Sequence, residues 1–128
     1  MAGDARLLVV DFAKAQGIEN LEPEEDGGYK ITIGAAQLYF YAIDHGTLLV
    51  AAPLGELPTA PSTGLIIHLL ELNMFHSPIA PFQVGLDAAG GLTLWGRIPA
   101  EGLTTEVFAG VMDQLSSRVE EIQDRVRR

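Results

Sequence analysis

The side chains in this sequence with chemical potential are three histidines, a few serines and several paired carboxylates, and their spacing decides what they can do. His45 lies in a turn, while His68 and His76 are eight residues apart, not the four that place two ligands on one helical face. No carboxylate completes a site around them, so each reads as a solvated or structural histidine. Ser62, Ser77, Ser116 and Ser117 lack the glycine-flanked setting of an activated nucleophile. Glu24-Glu25 and Glu120-Glu121 fall in a loop and on an exposed helical face, where nothing shifts a carboxyl toward general acid or base work. Gly27-Gly28 and Gly90-Gly91 are turn glycines and do not match a phosphate-cradling loop. With no cysteine, thiol catalysis, disulfides and thiolate metal sites are excluded. The expectation is a protein that is not an enzyme, with no catalytic residue, no cofactor and no metal.

Composition points the same way. The 128 residues suit one domain, 1–128, with one core. Hydrophobic residues make up 48% and the mean hydropathy is +0.21, more apolar surface than a lone core of this size needs. The net charge of −9 repels phosphate backbones and anionic headgroups, so neither nucleic acid nor a membrane surface is expected as a partner. No apolar run reaches the roughly 20 residues that span a bilayer. The longest, Leu65 to Phe75, is interrupted by His68, Glu71 and Asn73. The first residues, with Asp4 among them, lack the basic-then-apolar layout of a signal peptide. A cytoplasmic setting follows as the expectation.

The elements can be placed from periodicity and punctuation. Asp4 to Gln16 reads as a first helix capped by Asp4, with Leu8, Phe12 and Ala15 on one face and Leu7 and Val10 beside it. Gly17 suits its C-terminal turn and lets Ile18 fold back toward Phe12. Glu22-Pro23-Glu24-Glu25-Asp26 reads as a solvated acidic loop, without the ligand pattern of a calcium loop. Three strands follow, Tyr29 to Ile33, Gln37 to Ile43 and Thr47 to Ala52, joined at Gly34-Ala35-Ala36 and Asp44-His45-Gly46 into an antiparallel meander. The second puts Tyr39 and Tyr41 on one face and Leu38 and Phe40 on the other, and the third looks buried on both faces. Pro53 to Pro61 reads as a loop.

Ser62 or Thr63 caps a second helix that reaches about Phe75 and is apolar nearly all round. One small sheet cannot cover such a helix on every side, and a second copy of the chain can, so a homodimer is expected. Phe82 to Asp87 and Leu92 to Ile98 form a hairpin across Ala88-Ala89-Gly90-Gly91. Leu103 staples onto Phe108 across the N-cap Thr104. The last helix then carries Phe108, Met112, Leu115, Val119, Ile122 and Val126 at spacings 4, 3, 4, 3, 4, with Val107 and Val111 widening the stripe. It reads as a helix packed along the sheet, being too short in heptads to insist on a coiled coil. The fold class is α+β: helix, three-stranded antiparallel meander, helix, β-hairpin, long C-terminal helix.

What remains for function is surface. Tyr29, Tyr39 and Tyr41 are read as lying on one side of a meander whose edges are open to a partner's strand or helix. The alternative, that the rings face a helix in the core, stays open for each.

On these residues the chain resembles the class I type III secretion chaperones, the Tir-chaperone-like family. Leu69-Leu70-Glu71-Leu72-Asn73-Met74-Phe75 is similar to that family's Leu-Leu-x-x-Asn helix end. Val84-Gly85-Leu86-Asp87, Leu92-Thr93-Leu94-Trp95 and Arg97-Ile98-Pro99 resemble its hairpin, and Leu103 with the last helix its closing element. The resemblance implies a homodimer in which Leu65, Ile66, Leu69, Leu70, Asn73 and Phe82 serve the interface. It further implies that the N-terminal segment of a secreted effector wraps the dimer, touching Leu7, Val10, Tyr29, Ile31, Tyr39 and Tyr41. On this reading the protein keeps a virulence effector soluble and export-competent, without ATP or metal. The alternative is a regulatory protein of the same fold that sequesters a transcriptional regulator or another protein partner.

Overall fold

The computed structural model describes residues 5–44 and 46–127. In chain order the elements are α1 (Ala5–Ala15), β1 (Tyr29–Ile33), β2 (Ala36–Ala42), β3 (Thr47–Glu56), α2 (Thr63–Leu72), β4 (Gln83–Leu86), β5 (Gly91–Pro99) and α3 (Thr105–Arg127). The meander and the hairpin merge into one antiparallel sheet, ordered β1-β2-β3-β5-β4, because β5 pairs along the free side of β3. Alternation along each strand sends every second side chain to the core. Tyr29, Ile31, Leu38, Phe40, Leu48, Val50 and Leu94 are buried there under the helices.

The sequence signals at Gly17, Ser62 and Thr104 hold. The cap proposed at Asp4 and the turn residue His45 lie outside the described residues. At the end of α1, Gly17 adopts φ 88°, its N–H donates to the Lys14 carbonyl and that of Ile18 to the Ala13 carbonyl. Ser62 Oγ accepts from the Leu65 N–H at 3.1 Å, and Thr104 Oγ1 from the Val107 N–H at 3.1 Å. The whole α3 stripe, Phe108, Met112, Leu115, Val119, Ile122 and Val126, is buried. Val107 and Val111 face outward instead and add nothing to that stripe.

Two boundaries move for physical reasons. Proline was expected to end the third strand at Ala52, yet β3 continues to Glu56. Its long partner β5 offers a ladder from Pro99 opposite Thr47 to Gly91 opposite Glu56, and a bulge between Pro53 and Gly55 accommodates the missing N–H. The second helix stops at Leu72, short of Phe75, because Asn73 turns its side chain to the sheet. Its Nδ2 donates to the Val84 carbonyl at 3.0 Å and its Oδ1 accepts from the Val84 N–H at 2.6 Å.

Three aromatic rings join the layers. Phe12 of α1 meets Phe108 of α3 edge-on at 5.2 Å between centroids, and both contact Phe40 of β2, at 6.2 and 6.0 Å. Phe108→Ala should therefore cost about 3–5 kcal/mol, the range for truncating a large buried aromatic. Val107→Ala, one residue away but exposed, should stay within about 0.5 kcal/mol. Urea unfolding followed by circular dichroism separates the two.

Candidate protein-binding surfaces

Helices cover only one face of the sheet. On the other face the register aligns Lys30, Tyr39, Ala51, Trp95 and Gln83 in one row across all five strands. The next row holds Tyr41, Leu49 and Arg97. Tyr39, Tyr41, Leu49, Ala51 and Trp95 form a contiguous, half-buried apolar patch that no described element covers. The Arg97 guanidinium lies over the Trp95 ring, 5.8 Å from its centroid. The expectation that β3 is buried on both faces is corrected here: Leu48, Val50 and Ala52 are buried, but Leu49 and Ala51 line this open side.

One corner of the patch is fixed by the acidic loop. The Tyr41 hydroxyl donates to Asp26 Oδ2 at 3.0 Å, and Asp26 Oδ1 accepts from the Gly28 N–H at 3.0 Å. The Tyr41 ring rests on Gly28, where a Cβ would run into it, so glycine is required by the close approach. The Gly28 N–H first, and then the Tyr41 hydroxyl, hold the Asp26 carboxyl below its ordinary value. Burial, reinforced by the bond to Asp26, pushes the Tyr41 hydroxyl up. The loop read as a free solvated linker is thus latched at Asp26.

The second surface is the outer side of α2. Leu65, Leu69 and Leu72 are buried against the protomer's own core, while Ile67 and Leu70 project outward, Leu70 with 65% of its surface exposed. Met74 and Phe75 follow just past the helix, Phe75 at 85% exposure, and Leu86 of β4 is also exposed. Between α2 and β4 runs a shallow, mostly apolar groove lined by Ile66, Leu69, Leu70, Val84 and Leu86. On α1, Leu7 is half exposed and Val10 partly so.

Of the residues assigned to a dimer interface, Ile66 and Leu70 reach the surface, whereas Leu65, Leu69 and Phe82 are buried within the protomer and Asn73 is engaged with Val84. Of those assigned to effector contact, Leu7, Val10, Tyr39 and Tyr41 are accessible. Tyr29 and Ile31 are corrected: at 5% and 1% exposure they point into the core. Strand alternation gives the reason. Tyr29 pairs with Phe40, a core residue, so it shares that face and cannot join Tyr39 and Tyr41 on the other. Trp95, Arg97, Leu49, Met74 and Phe75 were not singled out as surface contacts. The alternation of β5, with Leu92 and Leu94 inward, was the available signal for Trp95 and Arg97.

Polar chemistry is sparse. His68 lies in a cavity with Arg118, Glu121 and Arg125, and burial followed by the Arg125 charge lowers its pKa below the ordinary imidazole value. Among the described residues no group of three histidines and carboxylates stands close enough to hold a metal. No helix among them is long and apolar enough to cross a membrane.

A sequence profile of the Tir chaperone protein (CesT) family matches residues 8–123. The chain belongs to that family. Solved structures share its fold at low sequence identity. The ExoU–SpcU heterodimer from the type III secretion system of Pseudomonas aeruginosa contains a chain with 21% identity and a TM-score of 0.74, over 91% of this chain and 95% of that one. The ExsC–ExsE complex contains one with 22% identity and a TM-score of 0.73, over 97% and 96%. The Yersinia pestis type III secretion chaperone SycH in complex with a fragment of YscM2 gives 21% and 0.70, over 91% and 97%. No curated protein matches by sequence. The α+β architecture and the chaperone family read from the sequence are therefore both found, for this family member, in the comparisons.

The Asp26 latch carries a pH signature. Its folded pKa is depressed, so its contribution to stability is present above the ordinary carboxyl value of 3.8 and is lost as pH falls through the lower folded value. Asp26→Asn should lower the melting temperature at pH 6 and leave it close to the parent's at pH about 2.5, as thermal melts at the two pH values will show.

Proposed function

We propose that this family member is a dedicated type III secretion chaperone that binds the N-terminal segment of a cognate effector as a homodimer. It works in the bacterial cytoplasm, keeps the segment soluble and export-competent, and is not an enzyme. The observation that carries the reading is the pair of separate apolar surfaces on a small, acidic, single-layered sheet protein. A monomer rarely leaves such patches open, and two patches suit two different partners.

The outer side of α2 is assigned to the dimer. Ile66 and Leu70 with Phe75 and Leu86 supply contacts, Leu69 and Asn73 support them by holding α2 against β4, and Leu65 and Phe82 support them from the protomer's core. The effector segment takes Leu7 and Val10 on α1 and Tyr39 and Tyr41 across the sheet, passing around the β1 edge. Tyr29 and Ile31 serve that surface only by anchoring β1 in the core. Several fold neighbours were solved as complexes, among them the HopA1–SchA chaperone–effector complex, which supports a protein segment as the ligand. An unfolded segment suits the shape, because it can cover dispersed patches while its ordering cost moderates affinity.

Light scattering of the purified protein, with mass spectrometry of what copurifies from its native host, tests the reading. A dimer of chains carrying the N-terminal region of a secreted protein supports it. A folded regulatory partner in that place supports sequestration instead, and a monomer with no partner overturns both. Two substitutions refine the dimer. Leu70→Asp should give a folded monomer, since it places a charge only in the interface, whereas Leu69→Asp should unfold the protomer. On the effector side, Tyr39→Ala with Tyr41→Ala should weaken segment binding about tenfold or more with the melting transition still cooperative. A gross loss of structure would put those rings in the core.

A further inference from the structure

We infer that the cleft between α2 and α3 binds a small organic acid, its carboxylate held by Arg125 and His68 and its apolar body by the cleft floor. The inference is separate from the chaperone reading, because it uses neither of the two apolar surfaces assigned there.

Helical spacing builds one wall. Arg118, Glu121, Ile122 and Arg125 recur at intervals of three and four, so they share one side of α3. Arg118 donates to Glu121 at 3.2 Å, and the two charges offset each other. Glu121 also stands four residues before Arg125, the spacing of a helical ion pair, but its bond goes to Arg118. Arg125 therefore makes no ion pair among the described residues, in a chain with 17 acidic side chains. The dipole of α3 favours cations in its last turn, yet it does not require that one of them line a cavity.

The other wall comes from α2, where His68 and Leu72 lie four residues apart on one flank. With about 100° of turn per residue, His68 is about 160° around the helix from Leu70. The cleft is thus on the far side of α2 from the groove against β4. Pro78 and Ile79 close it from the segment that follows α2, and the buried Leu72, Ile79 and Ile122 form its floor. Its volume is about 290 Å³, at the lower end of ligand pockets and suited to a small molecule.

One unpaired cation above an apolar floor selects a monoanion with an apolar body. A bare inorganic anion would leave the floor unfilled, and a neutral ligand would leave Arg125 unpaired. The charged groups around His68 are Arg118, Glu121 and Arg125 from α3 and Glu71 from its own helix. Burial and then the Arg125 charge lower its pKa below the ordinary 6.5, with Glu71 opposing them. A bound carboxylate opposes the Arg125 effect, so protonation of His68 and binding of the acid strengthen each other. Affinity should therefore rise as pH falls through the His68 titration, while the ligand's own carboxyl, with a pKa of roughly 4, stays ionised.

Phenylacetate is the probe, with phenylacetamide as the control that lacks the charge and acetate as the control that lacks the body. Followed by proton NMR at low salt, phenylacetate should bind the whole protein with a Kd of roughly 0.1–1 mM at pH about 5.5. Either control should bind at least roughly fivefold more weakly. Between pH about 5.5 and about 7.5 the phenylacetate affinity should fall roughly fivefold, as one partly exposed charge pair is lost. Saturation should move the His68 ring-proton titration to higher pH and leave those of the other two histidines in place, the His68 signal being assigned by its absence in His68→Gln. Arg125→Gln should weaken binding roughly fivefold or more, and His68→Gln should abolish the pH dependence, with circular dichroism checking that both variants are folded.

Equal binding of phenylacetamide or of acetate overturns the inference, as does unchanged affinity in Arg125→Gln. An affinity that does not vary with pH removes His68 from the site and overturns the assignment as stated. Lack of saturable binding at roughly tenfold above the expected Kd overturns it as well. All of these outcomes leave the dimer and effector reading untouched, since light scattering and copurification test that separately.

Discussion

The three-way contact of Phe12, Phe40 and Phe108 holds both long-range helices on one face of the sheet. Each ring comes from a different layer or segment, and each is fully buried. Edge-on packing of this kind adds directional preference to the hydrophobic gain, so it fixes where α1 and α3 sit as well as that they stay. Because both helices are committed to that face, nothing among the described residues covers the other. The bare sheet face is thus a consequence of how the core is closed.

Polar ties then set the outline of what is presented. Asn73 clamps the end of α2 to Val84 on the edge strand, which turns Met74 and Phe75 outward. Glu120 of α3 accepts from the Ala35 N–H at 3.0 Å and steadies the β1–β2 turn across 85 positions of sequence. Asp26 holds the acidic loop against Tyr41 at the rim of the open face. These bonds lie at or near the surface, where each is worth little in net stability. Their importance is positional: they keep two apolar surfaces apart and on rigid elements.

Much of this was legible in the sequence wherever a local rule governs. The caps at Ser62 and Thr104, the turn at Gly17 and the α3 stripe were fixed by short-range hydrogen bonding and helical period. The alternation of Leu38 and Phe40 against Tyr39 and Tyr41 was equally clear, since strand period leaves no choice within one strand. The faces of different strands could not be related in this way. Tyr29 was grouped with Tyr39 and Tyr41 because all three are tyrosines of one meander, but the register that pairs Tyr29 with Phe40 is set by the two-residue turn between β1 and β2. The length of β3 was likewise hidden, because only pairing with β5 makes it favourable to continue through Pro53.

By itself the sequence determined the element types and order, the acidity, the lack of a recognisable catalytic pattern and the family. Each of these rests on residue identity or on spacing within one segment. Only the tertiary structure decided which apolar residues are core and which are surface. An apolar side chain on α2 reads the same whether it is Leu69, packed on the protomer, or Leu70, open to a partner. Burial depends on what the rest of the chain brings alongside. For the same reason Lys30 and Arg97, 67 positions apart, become two sides of one patch only when β3 and β5 pair.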